Sequence, residues 1–81
     1  MSVMVYALST CPYCRMTRAY LDENDVEYDV LEVDLLEGDE KSEAVEEVRR
    51  ISGGTSFPVI VVDEETIVGF NKKRLKELLE L

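Results

Sequence analysis

Histidine is absent from this 81-residue chain, and its absence excludes a good deal. No Cys-His or Ser-His nucleophile pair can form, and no histidine-ligated zinc site. Cysteine is nearly as scarce: Cys11 and Cys14 are the only two. A reactive thiol here must be activated by the backbone or by basic side chains. Long apolar runs are also lacking, and none approaches the roughly 18 residues needed to span a bilayer. The opening "MSVMVYALS" carries no basic leader and is too short for a secretory signal, so a soluble, cytoplasmic protein is expected. Internal repeats and low-complexity tracts are missing too. Positive charge is in short supply, with 9 Lys and Arg against 18 Asp and Glu and a net charge of -9. That balance argues against nucleic acid or an anionic membrane as partner.

What is present fits one small domain over residues 1–81. A chain this short hides only about 60% of the surface its unfolded form exposes, so a thin core is expected. Charge is unevenly spread. Residues 1–21 hold no acid but carry Arg15 and Arg18, whereas thirteen of the eighteen acids lie between Asp22 and Glu47. Most of these acids read as a solvated face. Basic residues return in "NKKRLK", residues 71–76.

The apolar pattern predicts the elements. "VMVYAL", residues 3–8, has the length of a strand covered on both faces. Pro12 suits the first position of a helix, where its missing N–H costs nothing, with Cys11 as N-cap and an end near Asn24. Cys14, Thr17 and Leu21 share one face of that helix, and Arg15 lies off it. "VEYDVLEVDLL", residues 26–36, alternates and reads as a second strand. A second helix follows with an apolar stripe of Val45, Val48 and Ile51, stopped by Gly53 and Gly54. "PVIVV", residues 58–62, and "TIV", residues 66–68, flank the turn "DEE" as a hairpin. Asn71 is placed to cap a last helix with Leu75, Leu78 and Leu79 on its core side. The order is β-α-β-α-β-β-α, an α/β chain whose first two strands pair in parallel through a right-handed crossover.

Three chemistries compete for the Cys-x-x-Cys pair. Half a zinc site would need two further ligands, which only a dimer or carboxylates could supply. A structural disulfide is disfavoured because so short a loop removes little unfolded-state entropy and because permanent disulfides are rare in the cytoplasm. A reversible dithiol has a positioned mechanism. Cys11 would sit at the positive end of the helix dipole beside unpaired N–H groups, which favours the thiolate. Thiols so placed have pKa values from about 3.5 to 7.5 in place of about 8.5. Arg15, one turn along, is expected to add to this. Cys14 faces the core. Cys11 would then attack a substrate disulfide and Cys14 would resolve the mixed disulfide.

With these residues in view, the chain resembles the glutaredoxin branch of the thioredoxin-like proteins. "CPYC" matches the tetrapeptide of dithiol glutaredoxins, "TSFPV" (55–59) their cis-proline loop, and "VGF" (68–70) their glycine turn before the last helix. The resemblance spans essentially the whole chain. It implies a thioredoxin-like (glutaredoxin) fold, a four-stranded mixed sheet covered by three helices, with Cys11, Pro58 and Gly69 meeting at one end. It also implies substrate-facing roles for Pro12, Tyr13, Phe57, Pro58, Gly69 and Phe70, and a cis bond before Pro58. The implied activity is thiol-disulfide exchange, serving electron transport and cell redox homeostasis.

Two departures bear on the donor. Glutaredoxins typically carry a cation where Leu8 stands, and a second glycine and an acid where Phe70 and Lys72 stand. Charge-assisted contacts are roughly twice as strong as neutral ones, so losing both should weaken glutathione binding. The Gly-Phe pair resembles instead the NrdH-type redoxins, which take electrons from a thioredoxin-type reductase and pass them to ribonucleotide reductase. Leu8 does not match their basic residue either, and the tyrosine of CPYC follows the glutaredoxin pattern. The leading expectation is therefore a protein-disulfide reductase with no bound cofactor and no metal. The alternatives are glutathione as co-substrate, an iron–sulfur cluster carrier, and a redox-inert interaction module. Under the implied fold Lys72 and Lys73 join Arg15 near Cys11, a basic island on an acidic body. A monomer is the default expectation for so small a polar domain.

Overall fold

The computed structural model describes residues 2–81. Strand β1 spans Val3–Ala7, helix α1 Pro12–Glu23 and strand β2 Asp29–Glu32, followed by a 3-10 turn at Val33–Leu35. Helix α2 spans Gly38–Ser52, strands β3 and β4 span Val59–Val62 and Glu65–Val68, and helix α3 spans Lys72–Leu79. The sheet has four strands in the order β2-β1-β3-β4. The β1–β2 pair is parallel, and the β1–β3 and β3–β4 pairs are antiparallel. This is the mixed sheet with three helices that the element order predicts.

The register explains the core. Val5 pairs with Ile60, and Ile60 with Ile67, so all three point to the same face. That face packs against Cys14 and Leu21 of α1 and Leu75 and Leu79 of α3 in one apolar cluster. Helix α2 lies on the opposite face, where Ala44 borders Tyr6 and Leu31. Coverage there is thinner than a continuous apolar run leads one to expect. Val3, Val5 and Ala7 are buried while Met4 and Tyr6 are half-buried.

Two strand boundaries and one buried stripe differ from the sequence pattern, each for a local reason. The second strand is four residues long rather than the whole of 26–36. Val26 instead donates its N–H to the Leu21 carbonyl at 3.0 Å and the Tyr28 hydroxyl bonds Asp22, so residues 26–28 are tied to the end of α1. The buried stripe of α2 is Ala44 and Val48, while Val45 and Ile51 are only half-buried. Positions four apart stack on one face, and the small Ala44 lets the helix sit close. Glu65 belongs to β4 rather than to the turn, which leaves Asp63, at φ 53°, at the hairpin corner.

The helix ends follow their sequence signals. Gly53 takes the left-handed conformation at the end of α2 and bonds the Arg49 carbonyl at 2.9 Å, which a side chain would strain. Asn71 caps α3 by accepting the Arg74 N–H at 3.1 Å. Among the described residues no helix is long and apolar enough to cross a membrane.

Candidate active site

The sheet register gathers the residues singled out in the sequence at one end. Tyr6 of β1 pairs with Val59 and Val59 pairs with Val68. One step further along, Ala7, Pro58 and Gly69 therefore lie in a row across three neighbouring segments of the sheet. The Gly69 N–H donates to the Pro58 carbonyl at 2.7 Å, which extends the β3–β4 ladder by one rung. Gly69 has φ +84°, a left-handed conformation that glycine adopts without strain. The Phe57–Pro58 bond is cis, as the resemblance implies. Phe57, Phe70 and Cys11 all pack, partly buried, on the edge of the same core cluster.

Beyond Ala7 the chain turns into α1. Cys11 is its N-cap with extended backbone, and Pro12 occupies the first turn. No side chain caps this helix end and no acid stands in its first turn. Its free N–H groups are thus available to the Cys11 sulfur. Burial alone would raise the Cys11 thiol above its ordinary value. The Cys14 thiol and the backbone N–H groups of Cys14 and Tyr13 bond the sulfur, outweigh that effect and leave Cys11 lowered.

Cys14 lies one turn along α1 and is 1% exposed. Burial pushes its thiol up to about 11, and the neighbouring Cys11 and Asp34 charges push in the same direction. The Leu8 N–H approaches its sulfur at 3.4 Å, a contact that works the other way. Both cysteines are free thiols. The pair is thus electrically divided: the half-exposed sulfur favours the thiolate and the buried one keeps its proton.

Arg15, Lys72 and Lys73 are all exposed, and none is among the groups that lower Cys11. The turn itself supplies the effect expected in part from Arg15. Lys72 lies over the Tyr20 ring, 5.4 Å from its centroid, a cation–π distance. Tyr20 in turn meets Phe70 edge-on at 6.2 Å. With Met16, Ala19 and Glu23 these residues line a shallow groove of about 270 Å³ beside α1. Tyr13, inside the CPYC turn, is 61% exposed. A surface depression of about 560 Å³ along α2, from Ser42 to Arg50, shares no residue with the cysteine turn.

One residue pair escaped the sequence reading. Ser9 donates its N–H and its hydroxyl to the two oxygens of Asp34, at 2.9 and 2.5 Å. No signal in the sequence pointed to it, because the pairing follows from the strand register, in which Ala7 opposite Glu32 places Ser9 opposite Asp34 two residues on. Among the described residues no group of three His, Cys, Asp or Glu is placed to hold a metal ion.

Comparison with known proteins agrees with this geometry. The Glutaredoxin family model matches residues 3–67. An uncharacterized glutaredoxin-like 8.6 kDa protein of the rubredoxin operon of Clostridium pasteurianum is 36% identical over 78 residues, covering 96% of this chain and 97% of that protein. The glutaredoxin-like protein NrdH of Lactococcus lactis is 32% identical over 94% of this chain and 97% of its own length. Among solved structures, a glutaredoxin from Archaeoglobus fulgidus superposes with a TM-score of 0.94 at 40% identity, over 99% of this chain and 87% of that one. The family carries thiol-disulfide oxidoreductase activity in general. A cysteine pair on a helix start, a cis-proline loop and a glycine turn at one sheet end, matched along nearly the whole chain, show that this protein belongs to the glutaredoxin family.

Proposed function

We propose that this protein reduces disulfides in other proteins through Cys11 and Cys14, without a bound cofactor, and is itself reduced by a thioredoxin-type reductase. The observation that carries the reading is the division between the two sulfurs, Cys11 lowered and half-exposed, Cys14 buried and raised to about 11. In the first step the Cys11 thiolate attacks one sulfur of a target disulfide. A Cys11–target bond forms, and the other target sulfur leaves as a thiolate and takes up a proton. Cys14 then loses its proton and attacks the Cys11 sulfur. The Cys11–Cys14 disulfide forms and the second target thiol is released. The target gains two electrons and the CPYC pair loses two, which an external dithiol donor must return.

Leu8 and Lys72 support a dithiol donor over glutathione, since neither offers the charge that the resemblance expects at its position. The partial likeness to an NrdH protein makes ribonucleotide reductase a fitting target. Exposed Pro12 and Tyr13 and the half-buried Phe57 and Phe70 would meet the target chain, and Arg15, Lys72 and Lys73 would draw an acidic one toward Cys11.

The test offers the oxidised protein either glutathione at a strongly reducing ratio or a thioredoxin-type reductase with its nicotinamide donor. The cysteine state is read by alkylation and mass. Reduction by the reductase and persistence of the disulfide in glutathione is the expected result. Transfer onward to an acidic disulfide protein should slow as salt rises. Ready reduction by glutathione, with a Cys11–glutathione adduct, would instead make it a glutathione-dependent glutaredoxin.

A further inference from the structure

Asp34 stands outside the CPYC turn, and nothing in the redox chemistry above employs it. It is nonetheless tied to both cysteines through a short chain of contacts. Its two carboxylate oxygens accept the N–H and hydroxyl of Ser9, a two-pronged, charge-assisted grip that fixes a backbone more firmly than a single neutral bond. The residue before Ser9 is Leu8, whose N–H meets the Cys14 sulfur at 3.4 Å and whose carbonyl accepts the Cys11 N–H at 3.2 Å. One peptide therefore separates the carboxylate from the residue that touches both halves of the redox pair. The grip is built into the topology. Asp34 sits in the 3-10 turn that follows β2, directly opposite the loop that follows β1.

We propose that Asp34 is a positioning residue whose charge and grip on Ser9 set how readily Cys14 resolves the mixed disulfide. This rests on the roles assigned above to Cys11 and Cys14. Two effects act together. The grip holds the Leu8 N–H toward the Cys14 sulfur, where it stabilises the thiolate that must form. The negative charge opposes that same thiolate. The charged groups acting at this corner are few. Cys11 and Asp34 act on Cys14, while Ser9 and Lys41 of α2 hold the Asp34 carboxyl in its ionised form. Asp34 thus stays charged across the neutral range, and its charge opposes the Cys14 thiolate at the pH where the mixed disulfide is resolved.

Asp34→Asn separates the two effects, because an amide can still accept the Ser9 N–H and donate to its hydroxyl while carrying no charge. Ser9→Ala removes one prong and keeps the charge. The full chain, with Cys11 loaded as a mixed disulfide with thionitrobenzoate, is followed by the release of that coloured thiol as Cys14 attacks, from pH 7 to 12, a range that brackets the Cys14 thiol at about 11. For Asp34→Asn the midpoint of the pH profile moves to lower pH, and release at pH 8 becomes about threefold faster, the effect of a half-unit shift. For Ser9→Ala release slows at every pH. Alkylation of free Cys11 is unchanged in both. If the midpoint of Asp34→Asn stays where the wild type has it, with or without a uniform loss of rate, the carboxylate is a structural tie only and the proposal is overturned. If Asp34→Asn does not fold, Ser9→Ala decides alone, and a wild-type rate overturns the proposal. A wild-type protein that releases no thiol above a Cys14→Ser control would overturn the resolving role itself, a result distinct from an unmoved midpoint.

Discussion

At the scale of single residues, the proposed function rests on an asymmetry between two chemically identical side chains three positions apart. Cys11 at the start of α1 meets free N–H groups and solvent. Cys14, one turn inward, meets Leu21 and the sheet. Position alone lowers one thiol and raises the other, the division on which the proposed roles of nucleophile and proton-bearing reserve rest. The pH dependence follows with a definite sign. A lowered thiol is ionised at pH values where an ordinary one is not, so Cys11 should react with iodoacetamide along a profile whose midpoint lies below that of a free thiol. Cys14 should resist until the pH nears 11. Peptide mass mapping of the singly alkylated protein checks this, and equal labelling of the two cysteines at pH 7 would contradict it. The same scale also holds what was least visible in advance. Asp34 read as one more member of an acidic run, because a carboxylate's partner is set by strand register and not by its neighbours in sequence.

At the scale of elements, α1 and α3 are held to the sheet by few but fully buried contacts. Leu75, in the middle of α3, is 0% exposed and touches the cluster that includes Leu21 and Ile60. Leu75→Ala should cost about 2–5 kcal/mol in a urea titration, a severe loss for a chain this small. A cost below about 1 kcal/mol would mean that α3 is not docked as described. The elements were largely legible in the sequence, since caps and periodicity act locally. Pro12 and Cys11 mark the start of α1, Gly53 the end of α2 and Asn71 the start of α3, and each acts in the structure as its residue type dictates. What was not legible depended on contacts between elements. Val26 and Tyr28 carry a strand's alternation, yet the end of α1 takes their hydrogen bonds and β2 is left with four residues. Ala44 outranks Val45 on α2 because the position facing the sheet decides burial, not the larger side chain.

At the scale of the whole molecule, strand order turns scattered residues into one site. β1 is central, so its C-terminal end has β2 on one side and β3 on the other. That arrangement brings Asp34 and Ser9, the CPYC turn, Phe57–Pro58 and Gly69–Phe70 to a single edge, while the acids of α2 face away across the sheet. The resemblance indicated which end this would be. The electrostatic detail differed, because the turn's own N–H groups act on Cys11 and the exposed cations do not. The central claim is that Cys11 attacks and Cys14 resolves. It is tested most directly by offering a disulfide-containing protein to the Cys14→Ser and Cys11→Ser variants and weighing the products under non-reducing conditions. The account predicts that Cys14→Ser accumulates a stable mixed disulfide through Cys11 and that Cys11→Ser forms none. A trapped adduct on Cys14 in the Cys11→Ser variant, or no adduct in either, would contradict it.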